Sequence, residues 1–136
     1  MTVGFTASCF DLLHAGHILM LEEAKTVCDY LIVGLQTDPS IDRPETKRKP
    51  TQSIVERQIQ IAAVKYVDQI IIYETEQDLL DILQTQPIDI RIIGEDYRNK
   101  DFTGKHLNIP THYNRRAHNW STTDLIKRTQ THNQLQ

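Results

Sequence analysis

TVGFTASCFDLLHAGHILML, residues 2–21, decides how the rest of the chain is read. Its first seven residues, TVGFTAS, are short, uncharged and β-prone, and predict a strand. Beyond the turn, Ile18, Leu21, Ala24 and Cys28 recur at helical spacing, with Glu22, Glu23 and Lys25 on the other side. That spacing predicts a helix over residues 17–28. Two imidazoles, His14 and His17, sit beside Gly16 where the helix begins. The glycine lets a ligand reach the backbone without a Cβ in the way. A helix start offers unpaired amides to an anion, and imidazole N–H groups donate to phosphate oxygens. The stretch suits a triphosphate. A plain helix cap with no chemistry is the competing reading. A zinc site from Cys9, His14 and His17 is a third, but the spacing is not a standard zinc pattern and no fourth ligand is local.

Outward from this stretch the pattern repeats. Tyr30 to Leu35 is a continuous apolar run, as expected of a strand covered on both faces. Residues 38–52 are polar, with three prolines and the basic run Lys47-Arg48-Lys49, and predict a long loop. Ser53 with Glu56, and Thr75 with Asp78, are capping pairs ahead of two further helices. Residues 68–73 and 88–94 read as the third and fourth strands, and a short fifth is expected near residue 112. Ser121 and Asp124 cap a last helix, roughly 122–129, with residues 130–136 as a flexible tail.

Strands alternating with helices predict a single α/β domain over residues 1–129, a Rossmann-like doubly wound parallel sheet. Such sheets bind ligands at the carboxyl ends of their strands, where the winding reverses. The loops of interest are therefore residues 8–17, 94–98 and 115–123.

Bulk properties narrow the function classes. Hydrophobic residues make up 39 % of the 136 and charged residues 24 %, ordinary for a soluble domain. The net charge of −3 supplies no field for nucleic acid, so an anion needs a local cluster. Two unpatterned cysteines fit a reduced, cytoplasmic protein. No signal peptide or apolar membrane span is visible.

The stretch Phe10-Asp11-Leu12-Leu13-His14-Ala15-Gly16-His17 resembles the HxGH signature of cytidylyltransferase-like nucleotidyltransferases. Arg116 followed by Ser121-Thr122-Thr123 is similar to the Arg…Ser-Thr-Thr segment of glycerol-3-phosphate cytidylyltransferases. The resemblance covers residues 2 to about 128. It departs at Ser8-Cys9, where the family commonly has Gly-Thr, and at His118, Asn119 and Trp120.

The resemblance implies transfer of CMP from CTP to a phosphorylated polyol, foremost glycerol 3-phosphate, with release of pyrophosphate. It implies that His14, His17, Arg116 and a lid lysine, Lys47 or Lys49, act on the phosphates. It places Ser8, Cys9, Phe10, Gly16, Gly94, Asp96, Ser121, Thr122 and Thr123 around the nucleotide. Asp11 is expected to orient the first loop and, with Arg57, to serve the acceptor. Trp120 is expected to pack against the last helix, with cover for the base as the alternative. Mg²⁺ is the implied cofactor, placed through water by Glu95 or Asp96, and a homodimer is the implied assembly. The competing readings are an adenylyltransferase of the same fold, using ATP and another phosphorylated acceptor, and a non-catalytic nucleotide-binding module.

Overall fold

The computed structural model describes residues 1–115 and 120–135, with side chains described through residue 130. The chain runs β1 (Val3–Ser8), α1 (Ala15–Thr26), β2 (Tyr30–Gln36), α2 (Ile54–Ala62), β3 (Gln69–Tyr73), α3 (Glu76–Thr85), β4 (Ile90–Gly94), β5 (Thr111–Asn114) and α4 (Thr122–Leu135). Two short 3₁₀ turns, Glu95–Tyr97 and Lys105–Leu107, lie between β4 and β5. The expected fifth strand is present, and α4 runs past residue 129 to Leu135.

The five strands are ordered β3-β2-β1-β4-β5, and every pairing is parallel. This is the Rossmann-like doubly wound sheet. The chain winds outward from β1 to β3, then returns to the other side of β1 for β4. The reversal between β1 and β4 opens a crevice at their carboxyl ends.

Alternation along the strands divides the core between the two faces. Leu31, Val33 and Leu35 of β2 face one side with Leu21, Ala24 and Ile61, so α1 and α2 cover that face. Ile32 faces the other side with Phe5 of β1 and Leu79, Ile82 and Leu83 of α3. Gly4 in β1 permits the close approach of the turn that follows α1: a Cβ there would lie 2.7 Å from Cys28 Sγ. Among the described residues, no helix is long and apolar enough to cross a membrane.

The sequence places the start of α1 two residues too late. His14 is the N-cap, and its Nδ1 accepts the Gly16 amide at 3.0 Å. His17, three residues on, accepts the His14 amide at its own Nδ1, 3.2 Å away. The pair forms a capping box in which imidazoles stand where Ser or Thr and Glu usually do. The helices α2 and α3 open with the Ser53–Glu56 and Thr75–Asp78 boxes read from the sequence.

Candidate active site

The crevice holds two cavities that share Met20, Gly94 and Tyr97 as a common wall. The inner one, about 510 Å³, lies over the carboxyl ends of β1, β2, β3 and β4. The outer one, about 310 Å³, lies between the starts of α1 and α4. A Cβ on Gly94 would meet nothing within 4 Å, so this position leaves open space where the compartments join.

His14, Gly16 and His17 line the outer cavity on one side, and Ser121 and Thr122 on the other. The two helix starts are tied together, because the Thr122 hydroxyl donates to the Leu12 carbonyl at 3.3 Å. Ser121 Oγ accepts the Asp124 amide at 3.1 Å and so caps α4. Each Nδ1 accepts a backbone N–H, so the neutral form of each ring carries its proton on Nε2. The rings lie 3.9 Å apart between centroids. On the rim, Glu23 accepts from the Arg115 amide at 3.3 and 3.2 Å and meets His112 Nε2 at 2.7 Å. Glu95, Asp96, Asn114, Arg115 and Trp120 complete the lining.

The inner cavity is built from charges and hydroxyls. Arg43, Lys47 and Arg91 line it together with Glu76, Asp101, Thr103, Tyr73, Ser8 and Cys9. Arg43 Nη2 pairs with Glu76 Oε1 at 2.7 Å, while Arg43 Nε is buried with no partner among the described residues. Glu76 Oε2 accepts the Thr103 hydroxyl at 2.8 Å. Arg91 is 7 % exposed, donates to the Thr103 carbonyl and stacks on Phe102, 5.1 Å from the ring centroid. Burial lowers its pKa to about 10, which leaves it charged at neutral pH. Burial likewise pushes the Tyr73 phenol and the Cys9 thiol up, so both stay protonated there.

Several sequence expectations are corrected by this geometry. Arg57 lines neither cavity: it is 1 % exposed and donates to the Gln52, Cys9, Gln36 and Thr37 carbonyls. Its guanidinium pins the first loop to the end of β2 and the start of α2. Asp11 orients the first loop as expected and lines neither cavity. Its carboxylate accepts the Thr51 and Gln52 amides at 2.9 and 2.8 Å and pairs with Arg48 Nη2 at 3.0 Å. Phe10 does not touch a nucleotide: it is fully buried in the core at a φ of 52°, with its ring 5.3 Å from that of His17.

The remaining expectations divide between the compartments. Ser8 and Cys9 line the inner cavity, Asp96 the outer one, and Gly94 both. Of the basic run, Lys47 lines the inner cavity, Arg48 is held by Asp11, and Lys49 lines neither. Thr123 is exposed and lines neither. Trp120 is 44 % exposed and lines the outer cavity. Arg116 lies outside the described residues, as do His118 and Asn119. Sequence reasoning missed Arg43, Glu76, Arg91 and Asn114. Only Arg91 carried a signal, a charge inside the apolar strand IDIRIIG.

Comparison with known proteins agrees with this architecture. The chain is 36 % identical over 124 residues to the bifunctional protein HldE of Helicobacter pylori, covering 91 % of this chain and 27 % of that protein. It is 39 % identical over 102 residues to HldE of Acidiphilium cryptum, covering 75 % and 21 %. The chain thus spans only about a quarter of the length of such relatives. The lipopolysaccharide core biosynthesis protein of Thermoplasma volcanium superposes with a TM-score of 0.63 at 28 % identity, over 79 % of this chain and 83 % of that one. A bifunctional NMN adenylyltransferase/ADP ribose pyrophosphatase from Francisella tularensis shares the fold, with a TM-score of 0.61 at 15 % identity over 93 % and 41 %. The family model described as cytidylyltransferase-like matches residues 5–128, and the chain belongs to that nucleotidyltransferase family.

Proposed function

We propose that the protein transfers CMP from CTP to a small phosphorylated polyol or sugar. The outer cavity takes the nucleoside triphosphate and the inner cavity takes the acceptor. An acceptor phosphate oxygen attacks the α-phosphorus, the bond from that phosphorus to the bridging oxygen breaks, and pyrophosphate leaves. The nucleophile is already anionic, so catalysis reduces to positioning and charge stabilisation.

The observation that carries this reading is the shared wall. A cavity flanked by imidazoles and a helix start opens, at Gly94, onto a cavity lined by Arg43, Lys47 and Arg91. Nε2–H of His14 and His17 donates to phosphate oxygens as charge builds on them. The start of α4, with Arg116 from the adjoining segment, holds the departing pyrophosphate. The unpartnered Nε of Arg43 calls for an anionic acceptor group, and Glu76, Asp101 and Thr103 suit its hydroxyls. The likeness to the Thermoplasma lipopolysaccharide core biosynthesis protein supports a sugar phosphate alongside glycerol 3-phosphate.

Among the described residues, no three histidine, cysteine or carboxylate side chains cluster as a metal cage. Glu95 and Asp96 in the outer cavity fit Mg²⁺ carried by the triphosphate, which needs only one or two protein carboxylates. Such an ion would neutralise part of the triphosphate charge.

The test is a matrix of CTP, ATP, UTP and GTP against glycerol 3-phosphate and a panel of sugar phosphates, read by pyrophosphate release. Turnover with CTP and one acceptor class is the expected result. Turnover confined to ATP would overturn the assignment of the nucleotide. Nucleotide binding without turnover on any acceptor would leave only a binding module.

A further inference from the structure

Asn114 is the last residue of β5, 3 % exposed, and it lines the outer cavity. Its Nδ2 donates to the Met20 carbonyl at 3.3 Å. That bond fixes the amide, because the reversed orientation would set Oδ1 against a carbonyl oxygen. Oδ1 is then a buried acceptor with no partner among the described residues. Neighbouring donors are committed elsewhere: the Arg115 amide and His112 both go to Glu23. A buried acceptor left without a donor is costly, so a donor supplied by a ligand would be strongly rewarded.

The chemistry of the substrates limits which donor that can be. The ionised oxygens of a polyphosphate accept and do not donate. Acceptor hydroxyls belong to the inner cavity, which Asn114 does not line. What remains is the nucleoside, through a base amine or a ribose hydroxyl. The geometry points to Asn114 as the residue that reads a hydrogen-bond donor on the nucleoside; this rests on the proposed occupancy of the outer cavity. Cytosine and adenine each present an amine where uracil and guanine present a carbonyl oxygen. A lone acceptor in the cavity would favour the amino bases and repel the oxo bases. It discriminates between those two classes rather than between cytosine and adenine.

The experiment is equilibrium binding to the full chain by calorimetry, with CTP, UTP, 2′-deoxy-CTP and inorganic pyrophosphate as probes. Asn114→Leu removes the acceptor at similar volume, and thermal melting checks that it folds. Asn114→Ala carries the same readouts if it does not. The variant should bind CTP about tenfold more weakly, the scale of one neutral hydrogen bond. Pyrophosphate binding should be unchanged, because that probe carries no nucleoside. Loss of the preference for CTP over UTP identifies the base amine as the donor. Loss of the preference for CTP over 2′-deoxy-CTP identifies the 2′-hydroxyl instead. Unchanged CTP affinity overturns the inference and leaves the transfer reaction standing. Equal weakening of CTP and pyrophosphate also overturns it, since a general collapse of the cavity explains that result. If the wild-type chain binds CTP through Asn114 but releases no pyrophosphate, the transfer reading fails and the inference stands. If it binds no nucleotide, both fail.

Discussion

The inner and outer cavities share a wall, yet each lacks a different kind of partner. In the inner cavity the unsatisfied group is a donor, Arg43 Nε, set among Lys47 and Arg91. In the outer cavity it is an acceptor, Asn114 Oδ1, set opposite imidazoles and helix starts. In the proposed reaction, an anion with hydroxyls would complete the first and a polyphosphate bearing its own donor would complete the second. Under the proposed function, the two substrates would be sorted by the sign of the missing hydrogen-bond partner more than by size. The inner cavity is the larger of the two, although it receives the smaller molecule in this scheme.

The largest expected effect falls on the outer side. His14→Ala and His17→Ala should each lower turnover by roughly a hundredfold to a thousandfold, the usual consequence of deleting one preorganised donor. Pyrophosphate release under saturating substrates measures this. A loss appearing wholly as a raised acceptor KM would mean that the compartments are assigned the wrong way round.

Arg43→Gln comes next. It removes a charged donor from the inner cavity and should raise acceptor KM about tenfold or more, with nucleotide affinity unchanged. Steady-state kinetics with each substrate varied in turn decide it. A shift in nucleotide KM alone would break the division between the cavities.

The smallest effect separates scaffold from site. Thr75 caps α3, whose first residue, Glu76, reaches the inner cavity. Thr75→Ala should lower stability by about 1 kcal/mol in urea titrations and leave nucleotide affinity alone. The same cap carries a pH signature. Amides of Thr75 and Glu74 donate to Asp78 and hold its carboxyl below the usual range. Its contribution is complete above the ordinary carboxylate pKa and is lost as pH falls through the lowered value. The stability gap between wild type and Asp78→Asn should therefore close in acid.

Much of the sheet was legible because it follows from local pattern. The apolar run Tyr30–Leu35, the cap pairs and the HxGH turn each carry a short-range rule. The start of α1 was misplaced because the usual cap residues are Ser, Thr, Asp and Asn, and an imidazole filling both positions breaks that habit. Arg57, Asp11 and Phe10 were misread for another reason. Which way a loop side chain turns is decided by carbonyls and amides far along the chain, such as Gln36, Thr37 and Gln52. Asn114 gave no sequence signal, since its meaning lies in a hydrogen bond it does not make.

The imidazole capping box has a practical consequence. The nitrogens that hold the first turn of α1 lie on the opposite edge of each ring from the Nε2 that the proposed transfer uses. Replacing the pair with a Ser-x-x-Gln box, His14→Ser with His17→Gln, would keep the turn's amides satisfied and remove the imidazole donors without setting a carboxylate against the triphosphate. Such a protein would be a well-folded, silent trap, suited to holding both substrates still long enough to be seen together.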